Sequence, residues 1–175
     1  MAHDLPKLAA PLEPAVHTRP AERVVGLAAD RVWLASTDAD SRVPAGWLTR
    51  QVRHAAAGWD AVAGVVRVDE WDRLHPETQL TFERRYRREV GGRAHGHVHA
   101  ANLGLRASAY LAAGGFRTWR CGEDRDLWAR LDRREVRRLT DPQLVVTTSG
   151  RRRGRVDGGF SGDLATLDAG LRAAG

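Results

Sequence analysis

Cys121 is the only cysteine, and an intrachain disulfide needs two. A single thiol fits a reducing compartment, so the cytoplasm is the expected location. Long apolar runs are missing too: none approaches the ~20 residues that a membrane-spanning helix requires. The first twenty residues mix acids, bases and prolines without a continuous apolar stretch, and do not read as a secretory leader. Lysine is almost absent. Lys7 is the sole one, so all but one of the 28 basic residues are arginines. GC-rich coding favours that choice, and arginine also suits bidentate contact with phosphate. Internal repeats are lacking.

What is present is ordinary for a globular chain. Its 175 residues are 42% hydrophobic and 29% charged, enough to bury one core. The formal charge of +6 keeps anionic partners in play. A nucleic-acid-binding domain would gather its arginines on one face with aromatics for stacking. Here they spread along the chain and mingle with acids, so nucleic acid is not the expected partner.

Residues 1–20 carry four prolines without apolar periodicity and read as an extended or disordered lead-in. A short helical stripe over 21–29 precedes Arg31 to Thr37, an apolar, β-branched run of strand length. Pro44 opens a helix through Trp47, Gln51 and Ala55, which Gly58 ends. Asp60 to Val68 reads as a strand and Glu77 to Val90 as a charged helix closed by Gly91-Gly92. His95 to Arg106 reads as a loop entering a short strand, Ser108 to Ala113 as a short helix, and Gly122 to Leu131 as a helix opening on carboxylates. Val136 to Leu139 and Leu144 to Thr148 read as two strands, Gly150 to Gly159 as a basic glycine-rich segment. A C-terminal helix over 161–175 closes the chain. Strands alternating with helices imply an α/β layered fold with a mostly parallel sheet flanked by helices.

Four groups of residues have chemistry to offer, each with an ordinary structural reading beside it. Asp38 and Asp40 follow a strand, where open α/β sheets bind ligands. They can share one divalent cation, or simply serve a turn. Glu123 and Asp124 open a helix, where acids answer the helix dipole or act as a general base. His95, His97 and His99 share one face of an extended segment, which supports a pocket, or less readily zinc, since no further ligand completes the set. Asn102 follows as a donor and acceptor, and Gly104 allows close backbone approach. Thr147 to Arg155 has the hydroxyls, glycines and arginines of a phosphate cradle or of a solvated loop. Trp119 and Trp128 offer faces on which a sugar ring can stack; Trp128 fits the core equally well. Cys121 reads as a small buried thiol rather than a nucleophile. A glycosidase-like acid/base pair fits Asp-x-Asp less well than a metal does.

In order and spacing, these groups resemble glycosyltransferase family 2, the inverting GT-A type, over about Trp33 to Phe160. The matching residues are Ser36-Thr-Asp38-Ala-Asp40, His99-Ala-Ala-Asn102-Leu-Gly104-Leu-Arg106, Gly114-Gly115-Phe116, Gly122-Glu123-Asp124 and Thr148-Ser149-Gly-Arg151-Arg152. The resemblance implies a partial GT-A fold over 21–160. It implies that Asp38 and Asp40 bind Mn2+ or Mg2+ with a nucleotide-diphospho-sugar, and that Asp124 deprotonates an acceptor hydroxyl with Glu123 beside it. His99, Asn102, Gly104, Arg106 and Trp119 would shape the substrate pocket, and Arg151 and Arg152 would lie near the diphosphate. The family's N-terminal nucleotide-binding strand, ending near Pro-x-x-Asn-Glu, is not visible in the 37 residues before Asp38. Two further expectations follow. One is an open sheet edge that invites self-association or a partner chain; the other is that the chain is a remnant or subunit whose nucleotide site a partner completes.

Overall fold

Ala61 to Val66 are buried without interruption, as a strand covered on both faces should be. They begin β3 (Ala61–Asp69), the middle of a five-stranded sheet ordered β1-β4-β3-β5-β2. The other strands are β1 (Trp33–Ser36), β2 (Ser41–Arg42), β4 (Leu103–Arg106) and β5 (Arg138–Ser149). This computed structural model describes residues 27–69, 71, 74–90, 97–119, 121–149 and 160–174. The lead-in at 1–20, most of the helical stripe at 21–29, His95, and Arg151 with Arg152 lie outside the described residues. A 3-10 turn at Ala29–Arg31 enters β1.

Period-two alternation along β3 sends its side chains into two cores. Ala61 and Ala63 pack with Leu103, Leu105, Tyr110, Leu127 and Leu131, beneath α3 (Ala107–Ala112) and α4 (Glu123–Asp132). Val62 and Val66 pack with Trp47, Leu144 and Val146 on the other face, under α1 (Trp47–Ala56). The mixed α/β class is as expected. The mostly parallel sheet is not: among the described residues only β3 and β5 run parallel, and the three other pairings are antiparallel. An intervening helix permits a parallel return without requiring it. After α2 (Pro76–Val90) the chain enters β4 reversed, between β1 and β3.

The two strands expected at 136–148 are one. The ladder between β3 and β5 shifts register after Gly64, which pairs with Asp141, whereas Val65 pairs with Val145. Pro142, which has no N–H to give a ladder, falls within that bulge. Asp141 beside it accepts from Arg50 Nε at 2.5 Å and contacts His54 Nε2 at 2.8 Å, tying α1 to the sheet.

The C-terminal helix α5 (Phe160–Ala174) is joined to α2 by a buried carboxylate. Asp168 accepts from His75 N at 2.5 Å, Thr78 Oγ1 at 3.1 Å and Arg172 Nε at 2.9 Å. It therefore caps the first turn of α2, where an anion is favoured by the helix dipole. The His75 N–H above all, then Arg172 and Thr78, hold its acidity at about 2 against the opposing effect of burial. A depressed acid stabilises the fold fully above its unfolded value of ~3.9 and loses that contribution as pH falls through the folded value. Asp168→Asn is thus expected to lower the melting temperature at pH 7 and to flatten its fall between pH 4 and 2, measured by circular dichroism; a wild-type slope in the variant would refute the cap.

Candidate active site

The strand register decides which residues share an end of the sheet. β1 and β3 both run antiparallel to β4, so β1, β3 and β5 point the same way. Asp38 and Asp40 follow the C-terminal tip of β1. Ser36 pairs with Leu103, which brings the segment before β4, His99 to Asn102, to that same tip. From Asp40 the chain passes into Ser41–Arg42, which pairs with Thr147 and Thr148 near the C-terminal end of β5. The acidic loop therefore crosses the sheet at the carboxyl ends of its parallel strands, where such folds bind ligands.

Glu123 and Asp124 reach this end from α4. Gly122 adopts the left-handed conformation (φ 82°) just before the helix, which glycine tolerates freely. Ala100 N donates to Asp124 Oδ2 at 3.1 Å, and Arg125 N donates to Oδ1 at 2.7 Å. The first of these bonds fastens the start of α4 to the segment leading into β4. The electrostatics agree with the topology. Partial burial raises the pKa of Asp38, and so do the charges of Asp40, Glu123 and Asp124. Two acidic pairs, far apart in sequence, thus lie near enough at this end of the sheet to repel one another. No three His, Cys, Asp or Glu among the described residues are grouped so as to hold a metal ion alone.

His99 stands next to Ala100, whose N–H binds Asp124, immediately before the 3-10 turn at Ala100–Asn102. Its ring stacks on His97 at 5.7 Å, and His97 stacks on Tyr86 at 4.2 Å. The two histidines share a face as their alternate spacing suggested, but they lie parallel in a ring ladder, not converging on an ion.

Asn102, Gly104 and Arg106 are each engaged in packing or in tying segments together. Asn102 is completely buried. Its Nδ2 donates to Val65 O at 2.8 Å and Leu144 O at 2.7 Å, and its Oδ1 accepts from Trp47 Nε1 at 2.9 Å. The amide closes the gap that the β5 bulge opens. Gly64 opposite lacks room for a side chain, since a Cβ there would stand 2.2 Å from Asn102 Nδ2. Gly104 makes space beneath the Trp33–Gln51 hydrogen bond; a Cβ would stand 2.1 Å from Gln51 Oε1. Arg106 pairs with Trp33, at the opposite end of β1 from Asp38. There it binds Asp60 Oδ1 at 2.9 Å and the carbonyls of Asp30 and Ala55. Its guanidinium ties loops together far from the acids.

Sequence reasoning missed a brace behind Glu123 and Asp124. Arg130, 6% exposed, donates to Ala113 O and Gly115 O and pairs with Asp126 at 2.8 Å. Asp126 in turn meets Arg117 at 3.8 Å. The i,i+4 spacing of Asp126 and Arg130 was its visible signal. Trp128 is half-buried against the core, with Arg138 over its ring at 5.1 Å. Cys121 is exposed rather than buried. Among the described residues no helix is long and apolar enough to cross a membrane.

Comparison with protein-family models and with curated proteins finds nothing that matches this chain.

Proposed function

We propose that this chain is a glycosyltransferase domain of the inverting GT-A kind, working in the cytoplasm. It transfers a sugar from a nucleotide-diphospho-sugar to an acceptor hydroxyl with the help of Mn2+ or Mg2+. The reading rests on one arrangement above the rest: the acids at 38, 40, 123 and 124 gather at one end of the sheet, where Asp124 is fastened through Ala100 N and where, after burial, the charges of Asp40, Glu123 and Asp124 raise the pKa of Asp38. Carboxylates drawn toward one another at the end of a sheet repel, and a cation between them offsets that repulsion. Two hard oxygen ligands fit Mg2+ or Mn2+, which take one or two carboxylates and leave the remaining positions to phosphate and water. Such a cation, when bound, offsets charge on a leaving diphosphate.

The chain's own residues then divide the work. Asp38 and Asp40 provide the metal-side oxygens. Both oxygens of Asp124 accept a backbone N–H, and each keeps a lone pair, so the carboxylate is held in place and can still take the acceptor's proton. Glu123, half-buried beside it, contacts the acceptor. In calorimetry, Mn2+ with a UDP- or GDP-sugar is expected to bind weakly and only as a pair, and Asp40→Ala is expected to abolish that binding. Metal-independent binding, or binding unchanged in Asp40→Ala, would overturn the reading.

A second reading has its own support. Among the described residues β1 is an edge strand, and on the flanking helix α1 Leu48 and Val52 stand one turn apart, 55% and 56% exposed. An open edge beside an apolar helix strip suits a subunit whose nucleotide site a partner chain, or a second copy, completes. Leu48→Glu with Val52→Glu is expected to convert an assembled species to monomer in sedimentation. A wild type that is already monomeric and binds donor unaided would dismiss this alternative.

A further inference from the structure

Five of the six tryptophans are engaged. Trp33, Trp47 and Trp71 donate their indole N–H to Gln51, Asn102 and Val68 O, and Trp59 and Trp128 each lie under an arginine guanidinium. Trp119 is different. It is 57% exposed, and its indole has no hydrogen bond, ring contact or cation above it among the described residues. A large ring left in water is costly, and a scattered apolar residue on a loose loop would need no explanation.

This loop is not loose. Its start is held where Arg130 binds Ala113 O and Gly115 O, at two glycines with positive φ, Gly114 and Gly115. Phe116 N donates to Tyr110 Oη at 3.1 Å, Arg117 meets Asp126 at 3.8 Å, and Trp119 N closes a tight turn on Arg117 O at 2.9 Å. Four ties therefore hold out one indole, five residues before Asp124, a distance of no more than ~18 Å along the chain. A buried arginine spent on two loop carbonyls makes sense if the loop's outer face must keep its position.

We infer that the acceptor is itself a saccharide, and that Trp119 is the platform on which one of its pyranose rings lies. This deepens the glycosyltransferase reading and rests on it for the word acceptor, but the binding surface stands by itself. The flat apolar face of a pyranose matches an indole face in size and hydrophobicity, and the ring's hydroxyls stay in water at an exposed site. Arg130 acts as a positioning residue: it holds the loop and touches no substrate.

The test uses the whole chain with neither metal nor nucleotide present. Cellotetraose, maltotetraose and chitotetraose are titrated at millimolar concentration, followed by indole fluorescence and by saturation-transfer NMR. At least one is expected to bind, with Trp119→Ala weakening it about tenfold or more and Trp119→Phe restoring most of the loss. Because the side chain is exposed, Trp119→Ala is expected to keep the wild-type melting temperature. Binding that Trp119→Ala leaves unchanged, or no binding of any of the three, overturns the inference. In a second titration, of UDP- or GDP-sugar with Mn2+ present, a loss in Trp119→Ala that spares the oligosaccharides also overturns it, making the ring a nucleobase platform. Mn2+-dependent donor binding is a separate measurement, so either result can fail while the other stands.

Discussion

On the proposed reading, Asp124→Asn is expected to lower the transfer rate by ~10²–10⁴-fold, the usual contribution of a positioned base, while Mn2+-dependent donor binding is weakened far less. The two effects separate because Asp124 is fastened to the turn before β4 through Ala100 N, whereas Asp38 and Asp40, proposed for the metal, sit on the loop after β1. An asparagine keeps one acceptor oxygen and turns its amide toward one of the two N–H donors that the carboxylate now satisfies. Some local stability is lost as well, on the order of 1–3 kcal/mol for one unsatisfied group. Rates should therefore be compared at a temperature where both proteins are folded, with metal affinity read by calorimetry. Metal binding lost together with transfer would show that Asp124 is a metal-side group.

Asn102→Ala carries the largest expected effect on stability. Three hydrogen bonds meet at this amide, and no water reaches it. Alanine leaves Val65 O, Leu144 O and Trp47 Nε1 with one partner fewer in a dry interior and opens a cavity where the sheet bulges. A loss on the order of 4 kcal/mol follows, read as a lower urea midpoint. If Asn102 lined a sugar pocket, the same variant would keep its stability and lose only substrate affinity. The two roles predict opposite readouts from one protein.

The contrast between Asp38 and Asn102 shows how far residue patterns carry. Both belong to the resemblance, and both sit at the end of a short strand or its approach. Asp38 is followed by turn residues and stays at the surface, so its place at the strand tip could be read directly from Trp33-Leu-Ala-Ser and the acids after it. Asn102 is followed by Leu103, Gly104 and Leu105, an apolar strand that draws it inward. Nothing local says whether an amide at such a boundary faces ligand or core; the bulge around Pro142, forty residues on, settles it. Arg106 shows a related limit. A strand's direction decides which of its ends meets the acids, and direction is not written in four residues.

Local pattern sufficed for most of the elements. β3 with its valines, the Pro44-led helix α1, the Gly122-opened helix α4 and the short strand β4 all follow from period, caps and breakers, which act within a few residues. Such signals also marked the acids at 38, 40, 123 and 124. Strand order and polarity, the single bulged β5, the Asp168 bridge and the convergence of the two acidic pairs came only with the tertiary structure. Each of these joins groups distant along the chain, and the free energy that selects among them resides in burial and in hydrogen bonds that exist only once the layers have closed.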